Sequence, residues 1–70
     1  MITETILESQ INELNDILND DCISKKFYLF KYDSIYYLID ENSHIYDRGS
    51  LKSIHKTVFL LFVFYCEISA

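Results

Sequence analysis

Cys22, His44, His55 and Cys66 have the side-chain types that nucleophilic catalysis or zinc binding requires. A nucleophile needs an adjacent base and a group that orients the base, and no local motif brings these residues together. Gaps of 21, 10 and 10 residues separate the four, whereas structural zinc sites use closely spaced pairs of ligands. The sequence therefore predicts no catalytic residue, no metal ligand and no cofactor. We expect both cysteines to be packed and both histidines to be half-exposed.

Asp40, Glu41 and Asp47 are the densest carboxylates outside the first third of the chain. Acid–base catalysis would need a pocket that buries such groups and tunes their pKa values, and a chain of 70 residues has little room for one. We therefore expect these three side chains to be solvated. The single glycine, Gly49, excludes a glycine-rich phosphate loop.

Charge is concentrated at the start of the chain. Residues 1–24 contain six carboxylates and no Lys or Arg, whereas residues 25–70 have a net charge of +1, so the total is −5. A negative protein repels nucleic acid, which disfavours direct binding to it. Such carboxylates either keep the protein soluble or bind a basic groove on a partner. The candidate partner-binding residues are Glu4, Glu8, Glu13, Asp16, Asp20 and Tyr36.

The acidic segment has the apolar period of an amphipathic helix. The apolar positions are Ile6, Leu7, Ile11, Leu14, Ile17 and Leu18. Thr5 and Glu8 form a capping-box pattern, and Thr3 is an alternative N-cap. Polar residues that compete for backbone hydrogen bonds predict that the helix ends near Asn19 to Asp21.

Two aromatic and β-branched runs flank Asp33-Ser34 and predict a β-hairpin. With this turn, the residues paired across the strands are Tyr32 with Ile35, Phe30 with Tyr37, and Tyr28 with Ile39. A further short strand is expected at residues 44–46, which completes a three-stranded antiparallel meander. Because both faces of the hairpin are apolar, we expect both to be covered.

Gly49 and Ser50 offer a break and an N-cap for a second helix, predicted from Leu51 to about Glu67. The apolar run from Val58 to Cys66 fits a buried strand as well as a helix, and the cap favours the helix. A helix that is apolar all round needs more cover than so short a chain provides. Self-association is therefore a second hypothesis, with candidate residues Val58, Phe59, Phe62 and Phe64.

Length and composition predict one α+β domain over residues 1–70, with the order αβββα. The longest apolar run has nine residues, whereas a membrane-spanning helix needs about 20. Two isolated cysteines and an acidic N-terminus that does not resemble a secretory signal predict a cytoplasmic protein. The frequent Ile, Asn, Lys, Tyr and Phe, which have AT-rich codons, suggest a low-GC bacterium or one of its phages.

In size, acidity and build the chain resembles the small proteins that phages make against host enzymes, in particular anti-CRISPR proteins. The segments of this chain that enter the resemblance are Thr5-Ile-Leu-Glu8 and the strand-turn-strand from Phe30 to Tyr37. The resemblance implies a non-catalytic inhibitor that binds a host nucleic-acid-binding complex, here through the acidic helix face. The alternative is a homodimeric structural, adaptor or antitoxin-like protein.

Overall fold

The computed structural model describes residues 1–69, which form two helices and three strands. The elements in chain order are α1 (Glu4–Asp20), β1 (Phe27–Tyr32), β2 (Ile35–Asp40), β3 (Ile45–Gly49) and α2 (Leu51–Ser69). The strands form one antiparallel sheet in the order β1-β2-β3. This arrangement confirms the predicted αβββα fold.

Helix α1 begins at the alternative cap, Thr3. Its Oγ1 accepts a hydrogen bond of 3.2 Å from the amide of Ile6, which satisfies one of the backbone donors left open at a helix start. The predicted capping box at Thr5 and Glu8 is therefore wrong. The buried positions are Leu7, Ile11, Leu14 and Leu18, which form a single stripe.

The hairpin turns at Asp33 and Ser34, whose φ angles are 51° and 64°. Positive φ at both central positions is what a type I′ turn requires, and this turn matches the twist of antiparallel strands. The three predicted cross-strand pairs are confirmed. Because the side-chain period of a strand is two, this register divides the hairpin residues between two faces.

Strand β3 is longer than predicted and ends at Gly49. A bulge opposite Leu38 and Ile39 shifts its register, and the Tyr46 ring packs edge-on against Phe27 with centroids 5.1 Å apart. Gly49 has a φ of 136°, which favours glycine. This residue ends the sheet directly before the cap of α2.

Helix α2 extends through residues 58–66, so the helical reading of this apolar run is confirmed. The Ser50 hydroxyl accepts a hydrogen bond of 3.3 Å from the amide of Ser53, as predicted for an N-cap. Neither helix in the described part of the chain combines the length and the apolar character that a membrane span requires.

Both helices pack on the same face of the sheet, α1 against β1 and α2 against β2 and β3, and they also contact each other. The core lies in this layer and consists of Leu7, Ile11, Leu14, Leu18, Phe27, Leu38, Ile54 and Val58. The expectation that the cysteines are packed is wrong, because Cys22 and Cys66 are both exposed. Cys22 lies in the connection after α1 with a φ of 58°, and Cys66 lies on the outward side of α2.

Candidate protein-binding surfaces

Asp40 is the most buried polar residue of the described chain, with an exposed fraction of 2%. Its Oδ1 accepts hydrogen bonds from the amides of Asn42 (2.8 Å) and His44 (2.9 Å), and its Oδ2 lies 3.1 Å from the Lys25 ammonium. The expectation that this carboxylate is solvated is therefore wrong. Asp40 closes the β2–β3 turn and ties it to the segment before β1.

The surroundings of Asp40 and Lys25 favour the charged form of both groups. Desolvation by burial would raise the pKa of Asp40, but the amide of His44, the ammonium of Lys25 and the amide of Asn42 outweigh it and lower the pKa to about 2. The hydrogen bonds to Asp40 and Tyr46 raise the pKa of Lys25. Both groups are therefore charged near neutral pH, and their contact joins the β2–β3 turn to the segment before β1.

Asp47 joins β3 to α2. Its Oδ2 accepts hydrogen bonds from the hydroxyls of Thr57 (2.7 Å) and Ser53 (3.0 Å). Desolvation raises the pKa of Asp47, but these hydroxyls and the amide of Arg48 lower it by more. This half-buried carboxylate is therefore an internal anchor and not the solvated group expected from the sequence.

Asn15 links α1 to the edge of the sheet. Its side-chain oxygen accepts a 2.8 Å hydrogen bond from the amide of Phe27, and its nitrogen donates a 2.9 Å bond to the carbonyl of the same residue. This contact was not predicted from the sequence. Asn15 stands beside the apolar stripe of α1, but no local pattern indicates which backbone group its amide meets.

The predicted partner-binding carboxylates of α1 are all exposed. At about 100° per residue, Glu13, Asp16 and Asp20 fall within an arc of roughly 60° opposite the buried stripe, and Glu8 is turned toward the β1 side. Within residues 1–69, none of these four carboxylates forms an ion pair. We call Glu8, Glu13, Asp16 and Asp20 the acidic face.

Glu4 and Tyr36 are brought together by the fold. The Tyr36 hydroxyl donates a hydrogen bond of 2.9 Å to Glu4, and the Lys31 ammonium lies 5.3 Å from the centroid of the Tyr36 ring. Tyr36 is half-buried and packs against the core. These two predicted partner-binding residues therefore already contact each other at the margin of the molecule.

The side of the sheet opposite the helices is apolar and uncovered. Seven apolar side chains point from the three strands to this side, and we call them the outer sheet face: Tyr28, Phe30, Tyr32, Ile35, Tyr37, Ile39 and Ile45. Five of them are exposed, and a shallow groove of about 360 Å³ lies between Phe30, Tyr37 and Ile45. The expectation that both faces are covered is wrong, because both helices lie on the other face.

Helix α2 carries a second exposed apolar surface, the α2 stripe, which consists of Phe59, Leu60, Val63 and Phe64. Of the residues predicted for self-association, Phe59 and Phe64 belong to this stripe. Val58 is instead part of the core, and Phe62 is partly buried against it. The surface that α2 presents is therefore narrower than the sequence suggested.

The four residues considered for catalysis or zinc binding lie in three parts of the fold: Cys22 after α1, His44 before β3, and both His55 and Cys66 on α2. No group of three His, Cys, Asp or Glu side chains in the described residues is placed to hold a metal ion. His55 is half-buried, as expected, and its Nδ1 lies 2.9 Å from the Gln10 side-chain oxygen. The expectation that His44 is half-exposed is wrong, because its side chain is 77% exposed in the turn before β3.

The molecule thus offers three surfaces with contrasting chemistry: the acidic face on α1, the α2 stripe, and the outer sheet face. The first suits a basic partner through charge, and the other two suit apolar partners through burial. A comparison with protein families, curated proteins and solved structures finds no match to this chain.

Proposed function

We propose that this protein is a non-catalytic inhibitor that occupies a basic groove of a host nucleic-acid-binding complex. The acidic face of α1 is the binding surface. This is the role that the resemblance to small phage inhibitors of the anti-CRISPR type implies, and the proposal includes a phage or mobile-element origin. The target is a protein or ribonucleoprotein, and the site of action is the host cytoplasm.

The observation that carries the proposal is the acidic face itself. Glu13, Asp16 and Asp20 are exposed, and none of them forms an ion pair within residues 1–69. Like charges four residues apart, such as Asp16 and Asp20, cost a helix about 0.2 to 0.5 kcal/mol. A basic groove on a partner would remove this repulsion and would attract the helix over a distance of about 8 to 10 Å.

The contrast with the other carboxylates supports the same interpretation. Asp40 and Asp47 accept hydrogen bonds within the molecule, so they cannot turn to a partner without loss of internal contacts. The side chains of the acidic face accept none of the hydrogen bonds found between the described residues. We therefore expect that these charges can be replaced with little effect on folding.

The test is the triple variant Glu8→Lys, Asp16→Lys and Asp20→Lys, which changes the net charge from −5 to +1. Affinity capture from a low-GC bacterial lysate that contains defence complexes is compared for this variant and the wild type. We expect the wild type alone to retain a nucleic-acid-binding complex, and the captured complex to lose activity. Equal capture by both proteins would contradict the proposal.

A matched pair of single variants separates the position of a charge from the total charge. Asp16→Lys and Glu67→Lys each raise the net charge by 2, and both residues are exposed, one on α1 and the other on α2. We expect Asp16→Lys to slow association with the captured complex by several-fold, in line with the roughly 0.2 to 1 kcal/mol of an exposed charge pair. Glu67→Lys should associate at close to the wild-type rate, and equal slowing by both would indicate a nonspecific charge effect.

A second candidate function is a homodimeric structural, adaptor or antitoxin-like protein. The amount of exposed apolar surface favours it, since contiguous apolar patches on small soluble proteins are typically contact sites. With Val58 in the core and Phe62 partly buried, α2 supplies only four side chains to such a contact within the described residues. A monomeric mass at high micromolar concentration would count against this function.

A further inference from the structure

The outer sheet face is an apolar surface that no other element of the described chain covers. Tyr28, Phe30 and Tyr32 leave 43%, 50% and 67% of their surface exposed, and Ile35 and Ile45 leave 40% and 59%. The Phe30 and Tyr37 rings are 6.2 Å apart, centroid to centroid, across the β1–β2 pair. The exposed side chains therefore form one continuous patch and are not scattered.

We propose that a second copy of this chain covers the outer sheet face, so that two sheets pack face to face in a symmetric dimer. Sheets packed in this way lie about 10 Å apart with their strands within about 30° of each other. The contact is self-complementary, because a two-fold axis places the same patch on both subunits. The dimer does not depend on the proposed inhibitory function, since α1 lies on the opposite side of the sheet.

The exposed area matches what a dimer contact needs. An aromatic side chain has about 150 to 250 Å² of surface, so the exposed parts of the three aromatic residues amount to roughly 250 to 400 Å². The two isoleucines add on the order of 100 Å². Two copies would therefore bury roughly 700 to 1,000 Å² from these five side chains alone. Tyr37, Ile39 and the residues around the outer sheet face add further area, so the total buried area reaches the approximately 1,000 Å² that marks a specific interface.

Charge also favours this pairing. The seven side chains of the outer sheet face carry no charge. Two cations border these side chains: Arg48, the register partner of Tyr37, points to the same side from the edge strand β3, and the Lys26 ammonium lies 5.5 Å from the Tyr28 ring centroid. The acidic face lies across the sheet, so two copies that meet sheet to sheet keep their carboxylates on opposite sides of the dimer. A contact through the helices would bring these like charges closer.

Nucleic acid is a less suitable occupant, although aromatic side chains on a sheet can stack bases. Three of the seven positions are isoleucine, which offers no ring to stack. A strand of nucleic acid also needs a row of cations along its backbone, and Lys26 and Arg48 at the margin of the outer sheet face do not form one.

The test compares Phe30→Glu with Phe64→Glu. The two phenylalanines have exposed fractions of 50% and 53%, and they lie on the outer sheet face and on the α2 stripe, so the chemical change is matched. Sedimentation equilibrium of the full chain from about 5 to 500 μM measures the mass. We expect the wild type and Phe64→Glu to reach twice 8.3 kDa. In Phe30→Glu the dimer dissociation constant should rise by roughly 100-fold or more, because a charge would be buried in the contact.

A wild type that stays monomeric, or a dimer that survives Phe30→Glu, would overturn the proposal. Amide chemical shifts of the wild type on dilution provide a second measurement, which decides the outcome if a variant does not fold or if both variants are monomeric. Shifts concentrated in the strands support the sheet contact, and shifts concentrated in α2 overturn it. A fluorescent 20-nucleotide poly(dT) tests the other occupant, and binding that Phe30→Glu abolishes would also overturn the dimer.

Discussion

The two faces of the sheet have similar side chains but different surroundings. On the covered side, Phe27 and Leu38 are fully buried beneath the two helices. On the other side, Phe30 and Ile45 belong to the same sheet but remain exposed. Strand alternation therefore determines which residues share a face, whereas the number and position of the helices determine which face becomes core.

The largest expected difference between the faces is in stability. Leu38→Ala removes a fully buried side chain and should lower the free energy of unfolding by about 2 to 5 kcal/mol. Ile45→Ala removes a side chain that is 59% exposed and should cost less than about 1 kcal/mol in dilute protein. Urea denaturation at low micromolar concentration measures both. Similar losses in the two variants would mean that the outer sheet face is also covered within the monomer.

A sheet-to-sheet dimer predicts a second difference between the two faces of the sheet. The cost of Ile45→Ala should increase with protein concentration, because a dimer contact stabilises the folded chain by mass action. The cost of Leu38→Ala should change little over the same range. A concentration-independent cost at Ile45 would argue against a sheet-to-sheet contact.

A smaller loss is expected from the polar link between the covered side and α1. Asn15→Ala removes both hydrogen-bond partners of the Phe27 backbone and should cost about 1 to 3 kcal/mol, because a part-buried amide and carbonyl lose their partners. Asn12→Ala is the control, since this exposed asparagine lies on the same helix. Denaturation curves for the pair should differ by most of that amount, and overlapping curves would show that solvent replaces the Asn15 amide.

The pH dependence of stability tests the Asp40 cluster. Because the pKa of Asp40 is lowered to about 2 in the folded protein, its stabilising contribution is present above its ordinary pKa and is lost as the pH falls from about 4 toward 2. Asp40→Asn should flatten the loss of stability between pH 5 and 2, although it also lowers stability at neutral pH. Thermal unfolding across this range measures the slope.

A second variant of this cluster removes the cation that pairs with Asp40. Lys25→Met should raise the pKa of Asp40, since the ammonium 3.1 Å away favours the ionised carboxyl. A carboxyl-carbon NMR titration reports this pKa directly. An unchanged titration of Asp40 would show that the backbone amides alone maintain its ionisation.

Much of the fold follows from local sequence. The period of α1, the Ser50 cap and the register around Asp33-Ser34 each depend on residues near one another in the chain, so they could be predicted. Strand β3 was predicted too short because Asp47, Arg48 and Gly49 have low strand propensity, and their pairing with β2 overrides it.

The candidate surfaces were harder to predict, because burial depends on contacts between distant residues. Asp40 lies at the start of a polar turn whose sequence predicts a solvated side chain, and its partner Lys25 is 15 residues away in the chain. The cysteines were expected in the core because of their residue type, but their positions on the outward side of α2 and after α1 leave them exposed. The exposed carboxylates of α1 were placed correctly, since a helix with one apolar stripe turns its charges to solvent.

The link between Asn15 and Phe27 also limits how the protein can aggregate. Strand β1 is an edge strand, and the open amides and carbonyls of an edge are a template on which further chains can add. At the start of β1 an incoming strand would find the amide and carbonyl of Phe27 already bonded to a side chain. Asn15 thus blocks the first pairing position of this edge, which is one of the devices by which proteins limit edge-to-edge pairing of sheets.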